Sequence, residues 1–488
     1  MEIELKLALD ARHAARLRRH PLLAGVRPVR RELQSIYYDT PDFALMRRAI
    51  AFRLRRVGYH WVQTLKAEAP AVGALSSRPE WELLVAGSGP DLAILPPEAL
   101  ALLRGIDPAR LAPVFITEFR RTTWRLEGAG GAAELALDQG TIRAGTTEQP
   151  ISELEIELLE GAPEGLFEWA LELLEQVPLR VEPRSKAERG YVLCGAARPE
   201  PVRAESPDLR AGETASQAWA EIVRSALSQL VANVPGFLEQ AEDIEYLHQL
   251  RIALRRLRGA AGLGDGAGKA RPPWTAELAG VMECLNPARD WDVFVAETLP
   301  SLEAVLGDPH LGEAFLGRAE AAAARARRLA QNCVAAPEFT RLVLGIGRDL
   351  LVSRGERVPV EDWARRILER RWKKLRGQCR RLDELDPDGR HRLRIAAKKL
   401  RYAADALEDL YGKRARPFLK RLAALQDHLG RANDAVVAAR LLAEPGWREA
   451  GTAYDAGRVA GALGARAGHR HAGDEAAWRR LVDAKRFW

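Results

Sequence analysis

Two periods divide the chain. Up to about residue 198, apolar and polar positions mostly alternate; beyond it, apolar positions recur every three to four residues. In the opening MEIELKLALD, Ile3, Leu5 and Leu7 alternate with Glu2, Glu4 and Lys6, so a strand here carries aliphatics on one face and charges on the other. The same alternation predicts strands over 2–9, 33–39, 49–57, 61–67, 80–85, 116–126, 133–138 and 151–159. TPD at 40–42, GAGG at 128–131 and DQG at 138–140 read as turns between them, and 164–176 reads as a helix packed outside. Eight antiparallel strands are enough to close a barrel, which leaves no exposed edge.

The stretch GAARPEPVRAESPDLRAGET, rich in Pro, Gly and Ala, has no period and predicts a linker. Ala-, Leu- and Arg-rich segments of helical period follow it to the last residues. They also repeat. HQLRIALRRLR (248–258) and HRLRIAAKKLR (391–401) agree at seven of eleven positions, and LNPARDWDV (285–293) aligns with LGRANDAVV (429–437). A repeat of this kind is a structural unit, so the helices form a duplicated bundle. The expected fold class is α+β and multidomain. An eight-stranded antiparallel β tunnel with peripheral helices occupies 1–197, a linker 198–213, and an all-α bundle with internal duplication 214–488 (repeats near 248–293 and 391–437).

Composition sharpens this picture in one respect. Residues 1–198 hold 26 Lys and Arg against 27 Asp and Glu, whereas the remainder holds 48 against 40. The basic half expects an anionic partner: nucleic acid, polyphosphate or a membrane surface. The four cysteines (Cys194, Cys284, Cys333, Cys379) are widely spaced with no C-x-x-C pair, which supports neither a disulfide framework nor a zinc site and suits a reducing cytoplasm. No apolar run has the length of a membrane span, and the first residues already read as a strand rather than a signal peptide.

The charged faces are not of random composition. Arg53 and Arg55 alternate in AFRLRR, Lys66 ends WVQTLKA, and Arg121 lies in TEFRRTTWRL. Glu80 and Glu82 alternate in RPEWELLV, Glu134 and Asp138 share a face, and Glu153, Glu155 and Glu157 alternate in ISELEIELLEG. For any one strand a solvated outer face is the better explanation. For the set, carboxylates grouped in triplets and cations grouped on other strands point to a polar lumen with the apolar faces outside. Such a lumen costs several kcal/mol per uncompensated ion, and divalent cations together with a polyanion offset that cost. Mg²⁺ takes carboxylate and phosphate oxygens, Arg grips phosphate with two N–H groups, and Lys acts as a point charge.

EIELK, YYDTPD, RLR, QTLKA, RPEWEL, ALDQG, ELEIELLEG and SKAERGY occur in an order that resembles the CYTH domain, the triphosphate tunnel metalloenzymes, over about residues 1–195. The resemblance implies an eight-stranded tunnel that binds a triphosphate end-on with Mg²⁺ or Mn²⁺. On that pattern Glu2, Glu4, Glu155 and Glu157 hold a metal. Glu80, Glu82, Asp138 and Glu153 serve a second metal or orient the attacking water. Arg53, Arg55, Lys66 and Arg121, with Arg184, clamp phosphate; Lys6 lies near the metal-bound phosphoryl and Lys186 helps position the water. Direct attack by water needs no nucleophilic side chain. Among the activities of that family, the two-domain architecture most resembles the inorganic triphosphatases, so the resemblance implies inorganic triphosphate hydrolysis, with adenylyl cyclase or an organic triphosphatase as alternatives.

On the helical half, His248, Arg251, Arg255 and Arg258 are spaced 3, 4, 3, and His391, Arg394, Lys398 and Arg401 repeat the stripe. Like charges four apart destabilise a helix slightly, so two such stripes predict a bound anion. The competing explanation is a solvated basic face that pairs with Asp290, Asp292, Asp427 or Asp434 on the surface. The repeats resemble the CHAD domain, which implies inorganic polyphosphate as ligand. The second copy departs at Asn433, opposite Arg289, and at Val436, opposite Asp292. Nucleic acid fits less well, because Tyr246, Trp291 and Tyr402 are the few aromatics near the stripes. The expected protein is cytoplasmic or granule-associated, and the rival from another class is a non-catalytic polyphosphate receptor.

Overall fold

The computed structural model describes residues 2–67, 75–87, 89–128, 130–264, 272–306, 311–352, 358–379, 385–449, 451–468 and 471–488. All eight expected strands form, and two short ones join them. They are β1 (Glu2–Leu9), β2 (Val29–Asp39), β3 (Ile50–Val57), β4 (His60–Ala67), β5 (Leu75–Arg78), β6 (Glu80–Val85), β7 (Ala112–Gly128), β8 (Gly131–Ala144), β9 (Thr147–Gly161) and β10 (Leu179–Val181). They pair antiparallel in the order β10-β1-β9-β8-β7-β2-β3-β4-β6, with β5 also on β1. Glu2–Leu5 lie opposite Arg78–Leu75, and Leu7–Leu9 opposite Val181–Leu179, so β5 and β10 share one edge of β1. Only Pro79 separates β5 from β6, the strand at the far end of the order, and the sheet thereby returns on itself. The count is ten rather than eight because β5 has four residues and β10 three, too few to show a period.

One turn signal was misleading. DQG at 138–140 lies inside β8, which runs on to Ala144. A Cβ on Gly140 would meet the Glu118 carbonyl oxygen at 2.0 Å and Phe119 Cα at 2.4 Å. The glycine therefore permits a close approach of β7 and β8 rather than a reversal. The reversal comes at Gly145, whose φ is 58°.

The apolar faces do point outward. Leu5, Leu7, Leu135, Leu137, Leu154 and Ile156 form one core with Phe167, Ala170, Leu173 and Leu174 of the helix Glu164–Gln176. Across the sheet, Phe52, Leu54 and Leu65 pack with Leu95, Ala99 and Leu103. Alternation then leaves the charged positions facing the lumen.

The chain forms two compact units, one of Met1–Pro201, Val234–Gly236 and Ala335–Val352, the other of the remaining residues. The first unit thus includes the helix Pro337–Val352, whose Leu344 is buried in the same core as Phe167. Contact there is close: a Cβ on Gly347 would lie 2.5 Å from the Phe167 ring.

The second unit is helical, and its packing repeats. The helix Ile244–Ala261 packs on Ala215–Ala232 and Thr275–Val293; the helix Pro387–Ala406 packs in the same way on Val360–Gln378 and Arg416–Leu442. Asp243 and Asp386 cap the two central helices by accepting backbone N–H groups. These helices also touch each other, where a Cβ on Gly259 would lie 3.2 Å from Tyr402 Cβ. Those two residues follow the repeat motifs at equivalent positions.

Candidate functional site

Eleven charged side chains meet in a lumen of about 440 Å³. Six are cations (Lys6, Arg53, Arg55, Lys66, Arg121, Lys186) and five carboxylates (Glu4, Glu80, Glu82, Glu155, Glu157), with Tyr37 among them. Strand register explains the grouping. Across β1 and β9, Glu4 lies opposite Glu157 and Lys6 opposite Glu155; across β7 and β8, Arg121 lies opposite Asp138. The side chain of Glu2 is outside the described residues; its backbone continues β1 opposite Arg78.

Asp138 and Glu153 sit behind the lumen wall, not in it. With Glu155 they bring three carboxylate oxygens within 4.8 Å of one another, a spacing that would suit a cation. That cation is Lys186. Its Nζ lies 2.7 Å from Asp138 Oδ2 and 2.9 Å from Glu155 Oε1, and it contacts Glu153 Oε1. Arg121 donates two hydrogen bonds to Asp138, of 2.7 and 2.6 Å, and a third to Glu155. Arg189 reaches Glu153 Oε2 at 2.8 Å from the other side. Lys186 is held there by the helix Lys186–Leu193, which starts with a capping box: Ser185 Oγ accepts from Glu188 N at 3.0 Å and Glu188 Oε2 accepts from Ser185 N at 2.6 Å.

The electrostatics follow from that cage. Burial works to lower the Lys186 ammonium, yet Asp138, Glu153 and Glu155 hold it above the ordinary lysine value. Burial likewise opposes, and Lys186 and Arg121 enforce, a Glu155 carboxyl well below the usual range. Arg121 is raised in turn by Glu155 and Asp138 against its own burial. Lys186 is therefore a fixed cation, with no capacity to act as a base.

The opposite wall is less balanced. Lys66 Nζ lies 2.6 Å from Glu80, and Arg53 lies 3.7 Å from Glu80 and 3.5 Å from Glu82. Arg55 donates to Ser35 Oγ at 3.1 Å. Burial, and then Arg53 and Arg121, pull Arg55 down to about 10. Burial raises the Tyr37 phenol, but Arg53 and Arg55 bring it net below its usual value, while its ring stacks on Phe115 at 4.5 Å. An anion in the lumen would relieve this crowding of positive charge.

Arg184 is not part of the wall: its guanidinium forks onto Glu182, with both hydrogen bonds at 2.9 Å. Tyr37 and Arg189 were missed from sequence. Each had a signal, since Tyr37 is in phase with Ser35 on β2, and Arg189 is one helical turn from Lys186.

On the helical unit, Leu250, Leu254 and Leu257 are buried beneath the first stripe, and Leu393, Ala397 and Leu400 beneath the second. Two of the expected acidic partners have other cations beside them, although Asp290 also acts on Arg251 of the first stripe. Asp290 takes Arg440 at 2.7 Å, and Asp292 takes Arg327 at 2.9 Å. Arg251 donates to Asn286. Burial and then Arg255 pull Arg251 down to about 10, and burial and then Arg289 lower His248. A further cluster lies at the crossing of three helices. Arg371 donates to the backbone carbonyls of Lys399 and Gly262, and burial followed by Lys374, Arg371 and Arg258 lowers Lys399. The two repeats are unequal where the sequence departs: Asp292 is 2% exposed and Val436 69%. The side chains of Asn433 and Asp434 are outside the described residues.

No described helix is long and apolar enough to cross a membrane. The CYTH domain family model matches residues 1–191, and the CHAD domain model matches residues 221–443. An inorganic triphosphatase of Haemophilus influenzae is 36% identical over 196 residues, or 39% of this chain and 54% of that protein, so the chain spans about half the length of that relative. The crystal structure of the CHAD domain from the plant Ricinus communis is similar with a TM-score of 0.53 and 32% identity, covering 59% of this chain and 98% of that one.

Proposed function

As the chain consists of a CYTH domain at residues 1–191 and a CHAD domain at 221–443, we propose that the tunnel hydrolyses inorganic triphosphate and the helical unit binds inorganic polyphosphate. The observation that carries the first half is the division of the lumen wall. Glu4 and Glu157 oppose each other on β1 and β9, while Arg53, Arg55 and Lys66 stand on β3 and β4.

Mg²⁺ or Mn²⁺ fits the oxygen donors of Glu4 and Glu157, with Glu155 next along the same face of β9 and Glu2 next on β1. When bound, such an ion neutralises charge on the phosphoryl oxygens. Arg53, Arg55 and Arg121 grip phosphate oxygens through paired N–H groups, and Lys66 and Lys6 add point charges. Glu80 and Glu82 hold Arg53 and Lys66 in place and are positioned to orient water. Lys186, permanently charged, stands at the lumen as a donor to a phosphoryl oxygen. Water then attacks the terminal phosphorus, its P–O bond forming as the bridging P–O bond breaks, and orthophosphate and pyrophosphate result.

In the helical unit, His248, Arg251, Arg255 and Arg258, with His391, Arg394, Lys398 and Arg401, form the polyphosphate face. Burial is the first cause that lowers Arg251 and His248, and the repulsion from Arg255 and Arg289 that adds to it is what a polyanion would relieve. All four cysteines are free thiols, in keeping with a cytoplasmic setting.

The test is phosphate release from tripolyphosphate, ATP, thiamine triphosphate and long-chain polyphosphate, with Mg²⁺, Mn²⁺ or EDTA. The expected result is metal-dependent release from tripolyphosphate, reduced at least about 100-fold in Glu4→Gln. Conversion of ATP to a cyclic product would make the tunnel an adenylyl cyclase. No turnover of any substrate, with polyphosphate still bound, would make the protein a receptor.

A further inference from the structure

We propose that Arg189 is a positioning residue of the tunnel, acting through Glu153 to set how much of the Lys186 charge remains for the phosphate. This rests on the tunnel reading above. Arg189 does not line the lumen, and neither does Glu153; Lys186 does. The three side chains nonetheless form one line of alternating charge running inward from behind the wall. Arg189 Nη1 lies 2.8 Å from Glu153 Oε2, and Glu153 Oε1 contacts Lys186 Nζ. The side chains of Arg189, Glu153 and Lys186 are 8%, 1% and 7% exposed, so water screens these charges weakly.

Counting charges shows what Arg189 does. Lys186 faces three carboxylates, those of Asp138, Glu153 and Glu155. A single ammonium so surrounded would be drawn into the cage, with nothing left for a phosphoryl oxygen. Two guanidinium groups share the load from outside. Arg121 takes Asp138 and Glu155, and it also lines the lumen, so it has a direct role of its own. Arg189 takes Glu153, which does not line the lumen. Glu153 accepts from Arg189 on one oxygen and faces Lys186 with the other, so the pull of Glu153 on Lys186 is shared.

Arg189 is itself held in place. Its Nη2 donates to the Pro150 carbonyl at 2.5 Å, and its Nε lies 3.5 Å from Gln149 Oε1, both on β9. It stands three residues after Lys186 on the same short helix, so both side chains leave the same helix face toward β9. A merely structural Arg189, tying that helix to β9, is the competing explanation, and the two differ in what happens when Glu153 is also removed.

The experiment measures kcat and KM for tripolyphosphate with Mg²⁺, and the thermal midpoint, in Arg189→Met, Arg189→Lys, Glu153→Gln and the double variant Arg189→Met/Glu153→Gln. Arg189→Met is expected to lower kcat about 10- to 100-fold, the range that outer partners of active-site ligands show, with KM within about twofold. Adding Glu153→Gln removes the unshared carboxylate and should restore most of that loss. Arg189→Lys, which keeps the charge and the fold, should fall between wild type and Arg189→Met. A double variant as slow as Arg189→Met or slower, or activity losses that only track the thermal midpoint, would overturn the proposal. Should wild type not turn over tripolyphosphate at all, the tunnel reading fails separately. Calorimetric binding of tripolyphosphate to the same variants then decides: affinity lost with Arg189→Met and regained in the double variant supports the role of Arg189, and additive loss ends it.

Discussion

The tunnel and the helical face are built from the same cationic side chains, and the protein treats them in opposite ways. In the tunnel, Lys186 and Arg121 are raised because carboxylates surround them. On the helices, Arg251 and Arg371 fall to about 10, because burial and neighbouring arginines act on them together. The first arrangement is neutralised within the folded chain and is rigid before any ligand arrives. The second carries unrelieved repulsion and gains most when an anion binds. Preorganised charge suits chemistry at one defined phosphorus, whereas crowded surface charge suits retention of a polymer of no fixed register.

If that contrast holds, the largest effect comes from emptying the cage. Lys186→Met leaves two buried carboxylates and a partly buried third around an apolar side chain and should cost about 3–5 kcal/mol, read from urea unfolding. An unchanged midpoint would mean that the cage is not stabilising. Arg55 sharpens the comparison, because it sits in the tunnel yet resembles the helical arginines. Arg55→Gln should change stability by less than about 1 kcal/mol while raising KM for tripolyphosphate about 10- to 100-fold. On the helices, Arg251→Gln should leave the fold intact and weaken polyphosphate binding, with the salt dependence shallower by about one power of salt concentration.

The smallest effect is in pH. Glu155, held below its usual 4.5, contributes stability that is intact above that value and lost as the pH falls through the lower folded value. Lys186, raised above 10.5, contributes fully below that pH and is lost only as the pH rises through the higher folded value. Neither changes near neutrality. His248, lowered from 6.5, adds stability that is present above 6.5 and lost as the pH falls from there. Between pH 7 and 5, amide hydrogen exchange should show the helix around His248 weakening, while Asp405, raised by burial to about 6, adds stability as it protonates; the tunnel should show neither change.

Much of this was legible in the alternation of charges. It identified every long strand, and it chose the lumen face because triplets such as Glu153, Glu155 and Glu157 share a phase. Phase does not say how deep along the lumen a residue lies. Asp138 and Glu153 have the phase of lumen residues but lie where Lys186 covers them, and that depends on strand register and on a helix from elsewhere in the chain. The S-x-x-E spacing of Ser185 and Glu188 carries a capping-box signature for that helix, which the alternation of charges does not register. Arg184 looked equivalent to its cationic neighbours, yet Glu182, two residues away, takes its guanidinium. The stripes were read correctly as helix faces from the 3, 4, 3 spacing. Arg371 and Lys399 belong to no stripe and meet only through the crossing of helices.

The helix Pro337–Val352 also sets a clock. Its Leu344 joins the core behind β1 and β9, beside Phe167. During synthesis that core stays incomplete until residue 352 has been made, about 170 residues after Val181, the last strand residue. At typical elongation rates this is roughly 9 to 34 seconds, during which Phe167 and its neighbours await their cover. A nascent chain of this protein spends that interval with a finished lumen face and an unfinished back, and is most in need of a chaperone then.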